Sequence, residues 1–194
     1  MRVSGVLNAA QLVAETPDLI VFPEGVQFSE LQQARSKHPR AIVIGAVLER
    51  WCCRAYLLHQ GDDNQIVYLK VGPYMHTPGS GDVNQQPVYE CGDVCIGVLI
   101  CMDVNCPALA QSVTERIKSA NAIHKFLCIP ADMSADWFKD KNLFGSIFDG
   151  MHVLMCNNTA TYGLDGCQSF ITDTHGKKIS VWTPGEPFHA ELSR

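Results

Sequence analysis

Cys101 closes the apolar run Ile96-Gly97-Val98-Leu99-Ile100, and Met102-Asp103-Val104-Asn105 leaves that run abruptly. Pro107 follows where a first helical turn accepts proline. The thiol is therefore expected at a strand-to-helix turn, near backbone N–H groups with no ladder partner. Such donors stabilise a thiolate and the oxyanion of a tetrahedral intermediate. A free cysteine at a strand end is, taken alone, more often a core residue than a nucleophile. Two other strand ends change that balance. Glu24 follows Leu19-Ile20-Val21-Phe22-Pro23, and Lys70 ends a β-rich run just before Val71-Gly72-Pro73. Open α/β sheets build sites where such strand ends meet at one edge. There a carboxylate can take the thiol proton and return it to a leaving amine. An ammonium can steady the oxyanion, and the cysteine can carry the acyl group.

The elements that must place these residues follow from periodicity. Apolar runs predict strands over 18–22, 41–48, 54–58, 65–70, 94–100, 126–130, 152–156, 168–172 and 178–182. Gly61-Asp62-Asp63-Asn64 is read as the turn between two of them. Ser29 is placed as the cap of a helix over 30–37 that Pro39 stops, with further helices over 107–121 and 140–150. In 107–121, Leu109, Val113, Ile117 and Ala120 share a face. Strand and helix recur in order, the pattern of an α/β layered fold. Glycines and prolines break any regularity over 72–93, a long irregular connection of the kind that often serves function.

The 194 residues fit one domain, 1–194, with room for a substantial core. A net charge of −5 without a basic block points away from nucleic acid. No apolar run approaches the ~20 residues that span a bilayer, so no membrane role is expected. The start of the chain lacks the apolar core of a signal peptide, and a soluble, cytoplasmic protein is expected. Nine cysteines cannot all pair within one chain, which fits reduced thiols. Cys95, Cys128 and Cys156 lie in apolar runs and read as small hydrophobes. Cys91, Cys95, Cys101 and Cys106 do not have the spacing of paired zinc knuckles, and Cys95 and Cys101 would lie roughly 20 Å apart along an extended run. Neither a metal nor a cofactor is expected. The adjacent Cys52 and Cys53 are placed in a turn without a role, and His152 is read as a core histidine.

Phe22-Pro23-Glu24, Tyr68-Leu69-Lys70 and Gly97-Val98-Leu99-Ile100-Cys101-Met102-Asp103 together resemble the Glu-Lys-Cys signatures of the nitrilase superfamily, in order and approximate spacing. The likeness continues through 126–131, Trp137, 156–158 and 166–176, so it covers most of the chain. It implies a four-layer αββα sandwich whose subunits pair into dimers or larger homo-oligomers. It also implies Glu24 as general base, Cys101 as the thioester-forming nucleophile and Lys70 as support for the tetrahedral intermediate. The Met102 N–H becomes the second oxyanion donor, and Asp103 takes a structural part. Tyr74, His76, Trp137 and Asn157 are candidate pocket residues. The substrate class implied is a small linear amide, with a nitrile as the alternative. A weakly active or inactive relative serving as a binding or assembly domain is the other reading. Three departures accompany the resemblance. The stretch from Asn8 to Pro17 leaves room for a shortened first helix only, and Met102 stands where the family commonly has Trp or Tyr. The family's further loop glutamate has no counterpart in 71–89, where His76 or Asp82 are the substitutes weighed.

Overall fold

In the computed structural model the described residues are 1–6, 16–50, 52–60, 62–71, 81–82, 84–133, 148–158, 168–182 and 188–192, with 62–67 described by backbone alone. Strict alternation along the strands builds the first sheet. In β2 (Leu19–Glu24), Leu19 and Val21 face one side while Ile20 and Phe22 face the other. In β3 (Ile42–Glu49), Ile42, Ile44 and Ala46 share the first side, and Val43 and Val47 the second. β4 (Cys52–His59) repeats the division, with Cys53, Ala55 and Leu57 against Tyr56 and Leu58. Both faces are apolar, as a strand covered on each side requires.

Helix α1 (Phe28–Lys37) covers the outer face through Leu31 and Ala34. Glu30 in its first turn and Arg35 and Lys37 in its last suit the helix dipole. The expected start is corrected here: Ser29 lies inside the helix, and Gln27 occupies the cap position with no side-chain bond. The Phe28 ring, 4.8 Å from that of Tyr56, draws the helix back onto the sheet. Parallel pairing of β1 (Arg2–Gly5), β2 and β3 continues antiparallel through β4 and β5 (Asp62–Leu69), and β12 (Phe188–Glu191) closes the other edge. The expected turn over 61–64 is shorter than read, because Asp62 already pairs with His59 and strand pairing takes up the polar residues.

The second sheet runs in the order β11 (Lys178–Val181), β10 (Phe170–Thr172), β9 (His152–Asn157), β8 (His124–Ala131), β7 (Val94–Val98), β6 (Val88–Cys91). Its central strands β7, β8 and β9 are parallel. Helix α2 (Pro107–Ser119) lies on its outer face with Leu109, Val113 and Ile117 buried, and ends two residues before the expected 121. Between the sheets sits one core that includes Val21, Ile44, Leu57, Ile96, Phe126 and Leu154. The layers are therefore helix, sheet, sheet, helix: the αββα sandwich. Among the described residues no helix is long and apolar enough to cross a membrane. The shortened N-terminal helix and the helix over 140–150 fall largely outside the described residues.

A glycine lets each helix approach its sheet. A Cβ at Gly97 would stand 2.5 Å from Ile117 Cδ1 and 2.7 Å from Val113 Cγ1. At Gly45 it would stand 2.7 Å from Leu31 Cδ2. Gly97→Val is thus expected to cost about 2–3 kcal/mol by overpacking the α2 seam, read by urea unfolding. It should also disturb the turn that follows β7, where Cys101 sits.

Candidate active site

Pro23 is the residue that aims Glu24. Between Val21 and Glu24 the pairing with β3 shifts by one, so that Glu24 lies opposite Ala46 instead of Val47. Regular alternation would have sent Glu24 to the outer face under α1. The bulge turns it inward, a common use of bulges beside sites. Ala46 pairs in turn with Ala55, and Ala55 with Tyr68. Two alanines thus leave room over the inner face for longer side chains to meet above them.

Lys70 enters from the far side of that row. Its N–H donates to the Cys53 carbonyl at 2.9 Å, which prolongs the β4–β5 ladder by one residue. Its Nζ reaches Glu24 Oε1 at 2.6 Å, with both side chains buried at 2% and 1% exposure. Such a pair persists only where geometry is good, since desolvation of two charges costs several kcal/mol each. Burial raises the Glu24 pKa above its ordinary value, with Lys70 opposing. Burial also works against the Lys70 ammonium, but its interactions with Cys101 and Glu24 prevail and its pKa is raised.

Cys101 comes from the second sheet. After β7 the chain turns into a short 3₁₀ helix over Cys101–Asn105, and Cys101 itself has φ +50°. A side chain in the left-handed region costs about 1–2 kcal/mol, a strain that clusters at functional positions. The Asp103 N–H makes the first helical bond, to the Ile100 carbonyl at 2.9 Å. The N–H groups of Cys101 and Met102 thus precede the ladder, as first-turn donors do. The Sγ–H donates weakly to the Asp132 carbonyl at 3.7 Å. Burial first, then the Glu24 charge, push the Cys101 thiol up to about 12, with Lys70 opposing. At neutral pH this cysteine is a thiol that needs a base.

Asp103 ties the two sheets together at this point. Its Oδ2 accepts the Val71 N–H at 2.9 Å and the Tyr68 hydroxyl at 3.2 Å, and the Tyr68 oxygen accepts the Ile100 N–H. One buried network thereby links the strand end that carries Lys70 to the turn that carries Cys101. Asp103 is structural, as the sequence suggests.

The Asn157 side chain is buried and holds the backbone of Met133. Its Oδ1 accepts the Met133 N–H at 2.9 Å and its Nδ2 donates to the Met133 carbonyl at 3.0 Å. It thus clamps the chain next to Asp132, whose carbonyl meets the Cys101 thiol. Asn158 Nδ2 lies 3.4 Å from the Glu24 carbonyl and bridges the strand ends of the two sheets. Asp82 is exposed and accepts from the Asn84 side chain and N–H at 2.9 Å each. Tyr74, His76 and Trp137 lie outside the described residues. His152, half-buried where a core histidine was expected, donates from Nδ1 to the Thr172 carbonyl at 2.9 Å.

Cys53 corrects the sequence reading. It lies in strand β4, not in a turn, and is buried on the inner face. Its thiol and that of Cys101 both interact with the Glu24 carboxylate. The signal available in the sequence was the alternation Cys53, Ala55, Leu57, which the doubled cysteine obscured. Among the described residues no three His, Cys, Asp or Glu side chains gather as a metal-holding group.

The chain is an αββα sandwich in which an acid, an amine and a thiol come from strand ends of the two sheets. Solved structures share the fold. An amidase from Nesterenkonia sp. superposes with a TM-score of 0.69 at 17% identity, over 99% of this chain and 90% of that one. A variant of the Nesterenkonia sp. AN1 amidase, carrying acrylamide joined by Michael addition at its active-site cysteine, matches with TM-score 0.68 at 17% identity over 100% and 93%. A cysteine-to-serine variant of the Nesterenkonia AN1 amidase, from the nitrilase superfamily, matches with TM-score 0.68 at 16% identity over 100% and 92%. No family model matches the chain, and neither does any curated protein.

Proposed function

We propose that this chain is a carbon–nitrogen hydrolase of the nitrilase superfamily that cleaves a small linear amide with Glu24, Lys70 and Cys101. One observation carries the reading: the buried Lys70–Glu24 contact at 2.6 Å, with the buried Cys101 thiol interacting with the same carboxylate. The fold shared with an amidase whose active-site cysteine takes up acrylamide supports the amide as substrate.

In this mechanism Glu24 accepts the Sγ–H proton as the sulfur attacks the amide carbonyl carbon. The thiol's high pKa makes that base necessary. The oxyanion is held by the Lys70 ammonium and the Met102 N–H. Collapse breaks the carbon–nitrogen bond, Glu24 gives its proton to the nitrogen, and ammonia or an alkylamine departs. A water then gives a proton to Glu24 and attacks the thioester. The carboxylic acid leaves, and the sulfur recovers the proton.

The test is a panel of short amides run beside the matching nitriles, with ammonia release measured and acyl adducts mapped by mass spectrometry. The expected result is amide turnover with the acyl group on the Cys101 peptide. Turnover of nitriles alone would replace the amidase reading with a nitrilase one. An adduct on another cysteine, with Cys101→Ala fully active, would overturn the triad.

A further inference from the structure

The Glu24 carboxylate has more acceptor capacity than Lys70 uses. Oε1 takes the ammonium, whereas the buried Oε2 accepts no well-aligned hydrogen bond among the described residues. An ionised carboxylate offers about four acceptor directions, and a buried oxygen left without a donor is costly. Cys101 and Cys53, both buried on the inner face, are the thiols that interact with this carboxylate.

These two thiols are not equivalent. In the proposed reaction Cys101 gives up its proton at the first step and cannot serve as a lasting donor. Cys53 stays out of the chemistry. It is 3% exposed, on the inner face of β4, and its carbonyl accepts the Lys70 N–H at 2.9 Å. It stands two residues before Ala55, which belongs to the same lateral row as Glu24 and Ala46.

We propose that Cys53 is a positioning residue whose thiol donates to the Glu24 carboxylate and holds it, with Lys70, while Cys101 changes charge. The assignment rests on the reading of Glu24 as the base. Burial and the Glu24 charge keep the Cys53 thiol far above ordinary acidity, so it remains a neutral donor throughout the working pH range. Donation to the ionised form lowers the basicity of Glu24. That counters burial, which would otherwise leave the protonated acid reluctant to pass its proton to the leaving nitrogen. The titratable groups that act on this position are Glu24, Lys70 and Cys101, with Tyr68 of β5.

The test uses Cys53→Ala, Cys53→Val and Cys53→Ser, the valine filling the space without a donor and the serine keeping one. Two pH profiles are measured for each: kcat/KM on an amide, and the alkylation rate of Cys101 by iodoacetamide, followed on its own peptide. Cys53→Ala and Cys53→Val should move the acid limb of both profiles up by about half to one pH unit, the worth of a modest hydrogen bond to a charge. Cys53→Ser should leave it near the parent value. An unmoved limb in the valine variant, or a serine variant displaced as far as valine, overturns the proposal and leaves Cys53 a packing residue. The two failures are distinguishable. If the parent protein turns over no amide, the functional reading falls, while the alkylation profiles still decide the part played by Cys53.

Discussion

Cys101→Ala is expected to lower amide turnover by about 10⁴-fold or more, since the variant has no atom to form the thioester. The same position makes a second, structural demand. Its φ of +50° is a conformation that glycine adopts freely and that any Cβ resists. Cys101→Gly is therefore expected to be at least as stable as Cys101→Ala, although glycine normally costs about 0.5–1 kcal/mol. Urea unfolding of the two variants checks this directly. Alanine more stable than glycine by about 1 kcal/mol would mean that the turn is not strained. Paired with the turnover assay, the comparison separates what the sulfur does from what the backbone bears to present it.

Lys70→Met should cost about 3–5 kcal/mol at neutral pH, because it leaves the Glu24 carboxylate buried without its cation. The loss has a definite pH dependence. Burial already raises the Glu24 pKa, and removing Lys70 removes the opposing effect. The folded variant then favours the protonated acid more than the unfolded chain does. Its stability is kept below the ordinary carboxyl range and lost as pH rises through the folded-state pKa. Unfolding curves at about pH 5 and pH 8 should show the larger loss at the higher pH, and adding Glu24→Gln should recover much of it. An equal loss at both pH values would contradict the argument.

Glu24, Lys70 and Cys101 were legible because each follows an apolar run whose end is marked: Pro23-Glu24, Lys70 before Gly72-Pro73, and Cys101 before Pro107. The strands bearing them are buried on both faces, and such runs stand out. The short strands β1, β6 and β12 have four residues each and left no clear period. The bulge at Pro23 was beyond reach, since it depends on how β2 registers against β3. Cys53 went unrecognised for the same reason. Its inward direction follows from pairing with Leu48 across a hairpin, and the doubled cysteine masks its alternation with Ala55 and Leu57. Ser29 shows the opposite failure, a good local cap overridden by the packing of Phe28 on Tyr56.

Glu24 and Lys70 belong to one sheet and Cys101 to the other, joined at this point by the bonds of Asp103. Neither sheet holds a working constellation by itself. On the proposed function, turnover is consequently a gauge of whether the two sheets have docked. A compact intermediate with its strands formed but its interior loosened would keep a native-like far-ultraviolet signal and yet be silent toward substrate. During refolding, recovery of turnover cannot run ahead of closure of the sandwich, however early the strands appear.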